Sequence, residues 1–243
     1  MKKAILAASV GTTLTESDKS CIRPIEDALQ AAFPDRSIFR AFTSRLIRQT
    51  LSVQGMRVDS VEEAIARITS QGYEDLVIAA THIIPGSEYD RLLAAAQRHK
   101  VSAPLLADSD DLDWMADLLG VIAADESCPL LLIGHGSDHA ADETYAQLRR
   151  RLPKNVFLGC LKGEHTPEAL FPTLQAARSS EITLMPLMLT AGTHALRDLA
   201  GDSKHSWKSI LEARGFRVHA RLQGLGALSE VRQRYVKKVE QCL

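Results

Sequence analysis

His135 and His194 close two apolar runs, Leu-Leu-Leu-Ile-Gly-His-Gly and Met-Leu-Thr-Ala-Gly-Thr-His. Imidazole nitrogens suit first-row divalent ions such as Co²⁺, Fe²⁺, Ni²⁺ and Zn²⁺. Two or three protein ligands leave coordination positions open, which fits a metal that must leave again better than a closed structural site. Each histidine alone has a plainer reading: His135 as a loop residue bonded to a carbonyl, His194 as a helix-cap or surface residue. Their joint placement favours chemistry, because both lie at the carboxyl ends of expected strands, where parallel α/β sheets hold their ligands.

The elements that must position them are legible as apolar runs alternating with amphipathic helices, the pattern of an α/β fold with parallel sheets. In the first half, Ala4–Val10, Ser37–Phe42, Leu76–Thr81 and Ala103–Leu106 read as strands. A helix around Ile22, Ile25, Leu29 and Phe33 tolerates Pro24 only near its first turn. Ser60 and Glu63 form a capping-box pair for a helix Val61–Gln71 that Gly72 ends, and Glu88–His99 is a further helix. The acidic stretch Asp108–Asp113 and Trp114–Ala124 read as a crossover into a second half. There Pro129–Gly134, Val156–Leu161, Ile182–Leu189 and Phe216–Ala220 are strands, Asp142–Leu152 is a helix, and Thr166 with Pro167 opens another. Arg149–Arg151 reads as a solvated helix face. The last helix, near Leu228–Cys242, carries Val231, Tyr235, Val236 and Val239 on one side.

The halves resemble each other, which predicts an internal duplication of one α/β unit, as 1–115 and 116–243, with the last helix able to pack back on the first. Asp75–Leu93 lies over Glu181–Leu199 without a gap and aligns Gly86 with Gly192. The loop Ser9-Val10-Gly11-Thr12 matches Gly134-His135-Gly136-Ser137. At the matched positions the first half has Val10 and Glu88 where the second has His135 and His194. The duplication therefore separates a half with the histidines from a half with a carboxylate.

Composition excludes several classes. With 29 Lys+Arg against 30 Asp+Glu and a net charge of −1, the chain lacks the basic excess of a duplex nucleic-acid binder. The cysteines Cys21, Cys128, Cys160 and Cys242 form no CxxC pair, so neither a zinc nor an iron–sulfur framework is expected. The lysines at the start mimic a signal peptide, but the apolar run behind them is short and reads as a first strand. No stretch is long enough to span a bilayer. A cytoplasmic protein without membrane or nucleic-acid partners is expected, and a homo-oligomer is compatible with the sequence.

The segments SVGTT (9–13), FRAFTS (39–44), HIIPGSEY (82–89), GHGSDH (134–139), MPLMLTAGTHA (185–195), GDSKHSWK (201–208) and GLG (224–226) together resemble the anaerobic sirohydrochlorin cobaltochelatases, a class II tetrapyrrole chelatase family. They run in order over nearly the whole chain. The resemblance implies two Rossmann-like halves with the tetrapyrrole in a cleft between them. It further implies insertion of Co²⁺, or Fe²⁺, as substrate metal for cobalamin or sirohaem-type cofactors, with no permanently bound cofactor. By the same resemblance His135 and His194 are the metal-binding, catalytic histidines and Glu88 faces the cleft. The family's third functional residue is a glutamate, and the ungapped match at Leu161-Lys162-Gly163-Glu164-His165 puts Lys162 in its place. If that strand stays extended, Lys162 and Glu164 face the same side, so Glu164 could supply the carboxylate; His165 could offer a further ligand. Amide N–H groups after Gly11 and Gly136, with Ser9, Thr12, Arg40, Arg45 or Arg48, could hold the carboxylate rim of the ring. His82 either lines the cleft or is a core residue. A carrier with the same fold and no turnover is the alternative, and Lys162 is the feature that favours it. A hydrolase using Gly-His-Gly-Ser is disfavoured because the Gly-x-Ser-x-Gly elbow is missing.

Overall fold

A computed structural model describes residues 1–136, 140–163, 165–192 and 195–243. The chain divides into two compact units, Met1–Ala107 with Gly226–Leu243, and Asp108–Leu225. The unit boundary thus falls ahead of residue 115, and residues 226–243 belong with the first unit.

The first unit is built on a parallel sheet of order β2-β1-β3-β4, from β1 (Lys2–Ser9), β2 (Arg36–Phe42), β3 (Tyr73–Ala80) and β4 (Lys100–Val101). Ala4 to Ser9 and Leu76 to Ala80 are buried without alternation, as central strands covered on both faces must be. One helical turn, α1 (Thr15–Ser17), passes through a π-turn at Asp18–Ile22 into α2 (Arg23–Ala32), and Pro24, which has no N–H to give, sits just past that joint. α3 (Arg45–Val53) follows, capped by Ser44 accepting from the Ile47 amide. α4 (Val61–Ser70) begins in the full Ser60/Glu63 capping box, and α5 (Ser87–Ala95) begins after Gly86. α10 (Ser229–Glu240) lays the buried Val231, Tyr235, Val236 and Val239 into this unit against α2 and β3. The Tyr235 hydroxyl donates to the Thr81 carbonyl at 2.9 Å, which pins the carboxyl end of β3.

The second unit repeats the order, β6-β5-β7-β8, with β5 (Leu130–Gly134), β6 (Val156–Cys160), β7 (Glu181–Pro186) and β8 (Arg217–Ala220) all parallel. Its helices are α6 (Ser109–Ala124), α7 (Asp142–Arg149), α8 (Pro167–Ala176) and α9 (Trp207–Glu212), with a π-turn at Ala195–Leu199, and a 3₁₀ turn at Leu225–Ala227 spans the point where the chain leaves this unit. Leu131, Ile133, Leu170, Leu174, Leu184, Trp207 and Leu211 form its core on one side of the sheet.

Two expectations are corrected and one is made specific. Ala103–Leu106 is not a strand: Pro104 offers no N–H to a ladder, and the buried Leu105 and Leu106 instead donate to the carbonyls of His82 and Ile83 at 2.9 and 2.8 Å. The crossover read at Asp108–Asp113 and Trp114–Ala124 is the helix α6, which Asp108 and Asp111 start with a capping box. Arg149 is not a solvated charge; its Nε donates to the Leu158 carbonyl at 3.2 Å.

Candidate functional site

In the second unit β5 is buried along its whole length and delivers His135 to the surface beyond Gly134. The two flanking glycines are required by packing. A Cβ at Gly134 would stand 2.8 Å from the ring of Tyr145, and one at Gly136 would stand 2.1 Å from the Lys162 carbonyl oxygen. Gly136 also has φ +68°, which side-chain-bearing residues rarely adopt. The buried Tyr145 phenol lies beneath the loop; burial raises its pKa, and the backbone of His135 and Gly136 draws it partly back down.

His135 Nδ1 lies 3.1 Å from the Gly136 carbonyl oxygen. A carbonyl only accepts, so Nδ1 carries the proton and Nε2 carries the lone pair, the tautomer a metal ligand needs. The loop after β6 lies alongside, tied by the Leu161 amide donating to the Gly134 carbonyl at 3.0 Å. That loop does not stay extended. β6 ends at Cys160, Gly163 turns with φ +90°, and the Cys160 amide donates to the His165 carbonyl at 2.9 Å. The condition of the period-two argument, an extended strand through Lys162, is therefore not met. Lys162 is exposed beside the His135 loop.

Two neighbours are removed from metal duty. Arg149 Nη1 is 2.6 Å from His165 Nε2; the guanidinium can only donate, so His165 is neutral and this nitrogen is occupied. Burial pushes the Cys160 thiol up to about 12, so it does not supply the thiolate a metal would bind. Among the described residues no three His, Cys, Asp or Glu side chains are grouped to hold a metal ion. His194 and Glu164 lie outside the described residues.

In the first unit Glu88 sits in the first turn of α5, at the carboxyl end of the sheet. Its Oε2 accepts from the Thr43 hydroxyl at 3.0 Å and its Oε1 from Arg91 Nη1. Ser9 is buried, and its hydroxyl is 2.8 Å from that of Thr81. Thr12 is buried too, and its hydroxyl accepts from the Leu14 amide at 3.2 Å. Gly11 has φ +101°, and a Cβ there would meet the Phe42 ring at 2.6 Å. These residues shape the loop rather than present donors from it. Arg40 is committed elsewhere: it forms a two-pronged pair with Glu26, both distances 2.6 Å, and reaches Asp18 at 2.8 Å. Its Nε, Nη1 and Nη2 are each engaged by the fold's own carboxylates. His82 is buried, and among the described residues neither ring nitrogen has a hydrogen-bond partner. Burial drives its pKa down to about 4, so it is a neutral ring, held edge-on to Tyr89 at 6.0 Å.

Sequence reasoning singled out His135 and Glu88 but missed Tyr145, Thr43 and Arg91. Glycine on both sides of His135 was the available signal for Tyr145, since such a pair demands close neighbours. Thr43 lies in the FRAFTS segment, but its link to Glu88, like that of Arg91, is made by the fold.

The family described as Cobalt chelatase (CbiK) matches residues 3–243. The sirohydrochlorin cobaltochelatase of Salmonella typhimurium is 32% identical, covering 100% of this chain and 97% of that protein. The sirohydrochlorin cobaltochelatase CbiKC of Nitratidesulfovibrio vulgaris is 34% identical, covering 92% and 84%. Among solved structures, SirB from Bacillus subtilis with Fe³⁺ superposes with a TM-score of 0.63 over 100% of this chain and 96% of that one, at 14% identity, a likeness of fold. With its repeated parallel sheets and the family match running along its length, the chain belongs to the cobalt chelatase (CbiK) family.

Proposed function

We propose that this protein inserts Co²⁺ into sirohydrochlorin, for the synthesis of cobalamin or sirohaem-type cofactors, and acts in the cytoplasm. The observation that carries the reading is His135. It is exposed on a loop fixed by two glycines and by Tyr145, with Nδ1 on a carbonyl and the lone pair on Nε2.

Insertion needs a metal held by few ligands and a base for two pyrrole N–H protons. His135 and His194 hold the incoming ion and pass it on. Glu88 accepts a proton, with its carboxylate aimed by Thr43. Glu164 is a second candidate acceptor. Lys162 binds a carboxylate of the ring's rim, next to His135. Glu164→Gln should then impair turnover, whereas Lys162→Ala should mainly raise KM for the tetrapyrrole.

Rates of insertion of Co²⁺, Fe²⁺ and Ni²⁺ into one sirohydrochlorin sample test the proposal. Multiple turnovers, fastest with Co²⁺, are expected. A carrier, which Lys162 at the family's glutamate position would favour, gives at most one equivalent of product per chain. That outcome would replace the enzyme reading.

A further inference from the structure

A cavity of about 400 Å³ opens in the first unit beside α3, α4 and α5. Phe42, Thr43, Arg48, Ser60 and Arg91 are in its wall. Arg48 stands out among the unit's sheltered arginines. Arg36 meets Asp75 at 2.7 Å, and Arg40 meets Glu26 and Asp18 at 2.6 and 2.8 Å. Arg48 is only 23% exposed, yet among the described residues its buried Nε has no hydrogen-bond partner, and its nearest carboxylate, Glu63, is 3.9 Å from Nη1. That distance is too long for a hydrogen bond, and Glu63 is already engaged by the Ser60 amide at 2.7 Å.

A sheltered guanidinium with unmet donors is costly unless a ligand meets them, and planar, bidentate recognition of a carboxylate is what arginine does best. Arg91, mostly exposed, has donors left beyond the one it gives Glu88. The exposed Glu62 is also in the wall, but two arginines leave the cavity favourable to an anion. Thr43 connects it to the site, since the same residue lines the cavity and donates to Glu88.

We propose that this cavity takes one peripheral carboxylate arm of the tetrapyrrole, with Arg48 as the principal partner and Arg91 beside it, and so fixes the ring's edge next to Glu88. The inference rests on the chelatase reading. Phe42 and Val61 give the arm's methylene groups an apolar wall.

The test measures sirohydrochlorin binding to metal-free protein by fluorescence, and Co²⁺ insertion by absorbance, for wild type, Arg48→Gln and Arg48→Lys. In Arg48→Gln, Kd and KM should rise about tenfold with kcat changed less than twofold. Arg48→Lys should fall between, because lysine keeps the charge and loses the fork. The thermal midpoint should not drop, since among the described residues the Arg48 guanidinium has no hydrogen bond to lose. The octamethyl ester of sirohydrochlorin should bind wild type and Arg48→Gln alike. Unchanged sirohydrochlorin affinity in Arg48→Gln, or an equal loss with the ester, would overturn the proposal. So would inorganic phosphate that binds in an Arg48-dependent way without competing with sirohydrochlorin, because the cavity would then serve a separate anion. If wild type binds the ring through Arg48 but never turns over, the pocket stands and the chelatase reading falls.

Discussion

Tyr145 shows how one side chain out of contact with solvent can govern a surface ligand. Its ring fills the space a side chain at position 134 would need, and its hydroxyl is influenced by the backbone of His135 and Gly136. Tyr145→Phe keeps the ring and removes that hydroxyl, a change worth about 1 kcal/mol for a buried polar interaction. Chemical denaturation should show that loss together with weaker Co²⁺ binding, and a variant as stable and as tight as wild type would remove Tyr145 from the account. His82 gives a pH signature. Its pKa falls from 6.5 in the unfolded chain to about 4 in the fold, through burial. Between those values the unfolded state binds a proton that the folded state refuses, so stability drops as pH falls through that window. The full loss is on the order of 3 kcal/mol. His82→Leu should flatten this part of the profile in urea melts at stepped pH; an unaltered slope would assign the acid sensitivity to other groups. His135 was legible because Gly-His-Gly follows an apolar run, a local signal. Arg40 and Arg149 were not, because their partners stand 14, 22 and 16 positions away, and only the fold brings them together.

At the scale of elements, local rules worked where hydrogen bonds close within a few residues. The Ser60/Glu63 box starts α4 as its spacing predicts, and the buried stripe of α10 is the one its apolar positions mark. They failed where a neighbour decides. Pro104 diverts a strand-like run onto the loop after β3, and α3 escaped notice because Leu51 alone is buried while Leu46 and Val53 face solvent. Asp108 was read as part of an acidic crossover, yet it is the reciprocal cap of α6. Asp108→Ala should destabilise the protein by about 1 kcal/mol, the usual worth of an N-cap. Urea unfolding decides this: a midpoint equal to wild type would mean that α6 is held by packing alone.

On the scale of the molecule, the two sheets share one strand order, and the matched loops follow β1 and β5, the same strand in each. A repeated unit explains how one loop, Ser9 to Thr12, became structural, with its hydroxyls turned inward, while its counterpart presents a histidine. No helix of the described residues is long and apolar enough to cross a membrane. The family was legible from motifs spread along the chain, whereas the inward commitments of Arg40, Ser9 and Thr12 needed coordinates. The central claim is that His135, with His194, holds the metal during insertion. Absorbance-monitored insertion of Co²⁺ into sirohydrochlorin by wild type, His135→Ala and His194→Ala, with circular dichroism to verify the fold, tests it most directly. The account predicts a loss of at least about tenfold in each variant, within the range a positioned catalytic group contributes, with the fold intact. Insertion by a folded His135→Ala protein at the wild-type rate would contradict it.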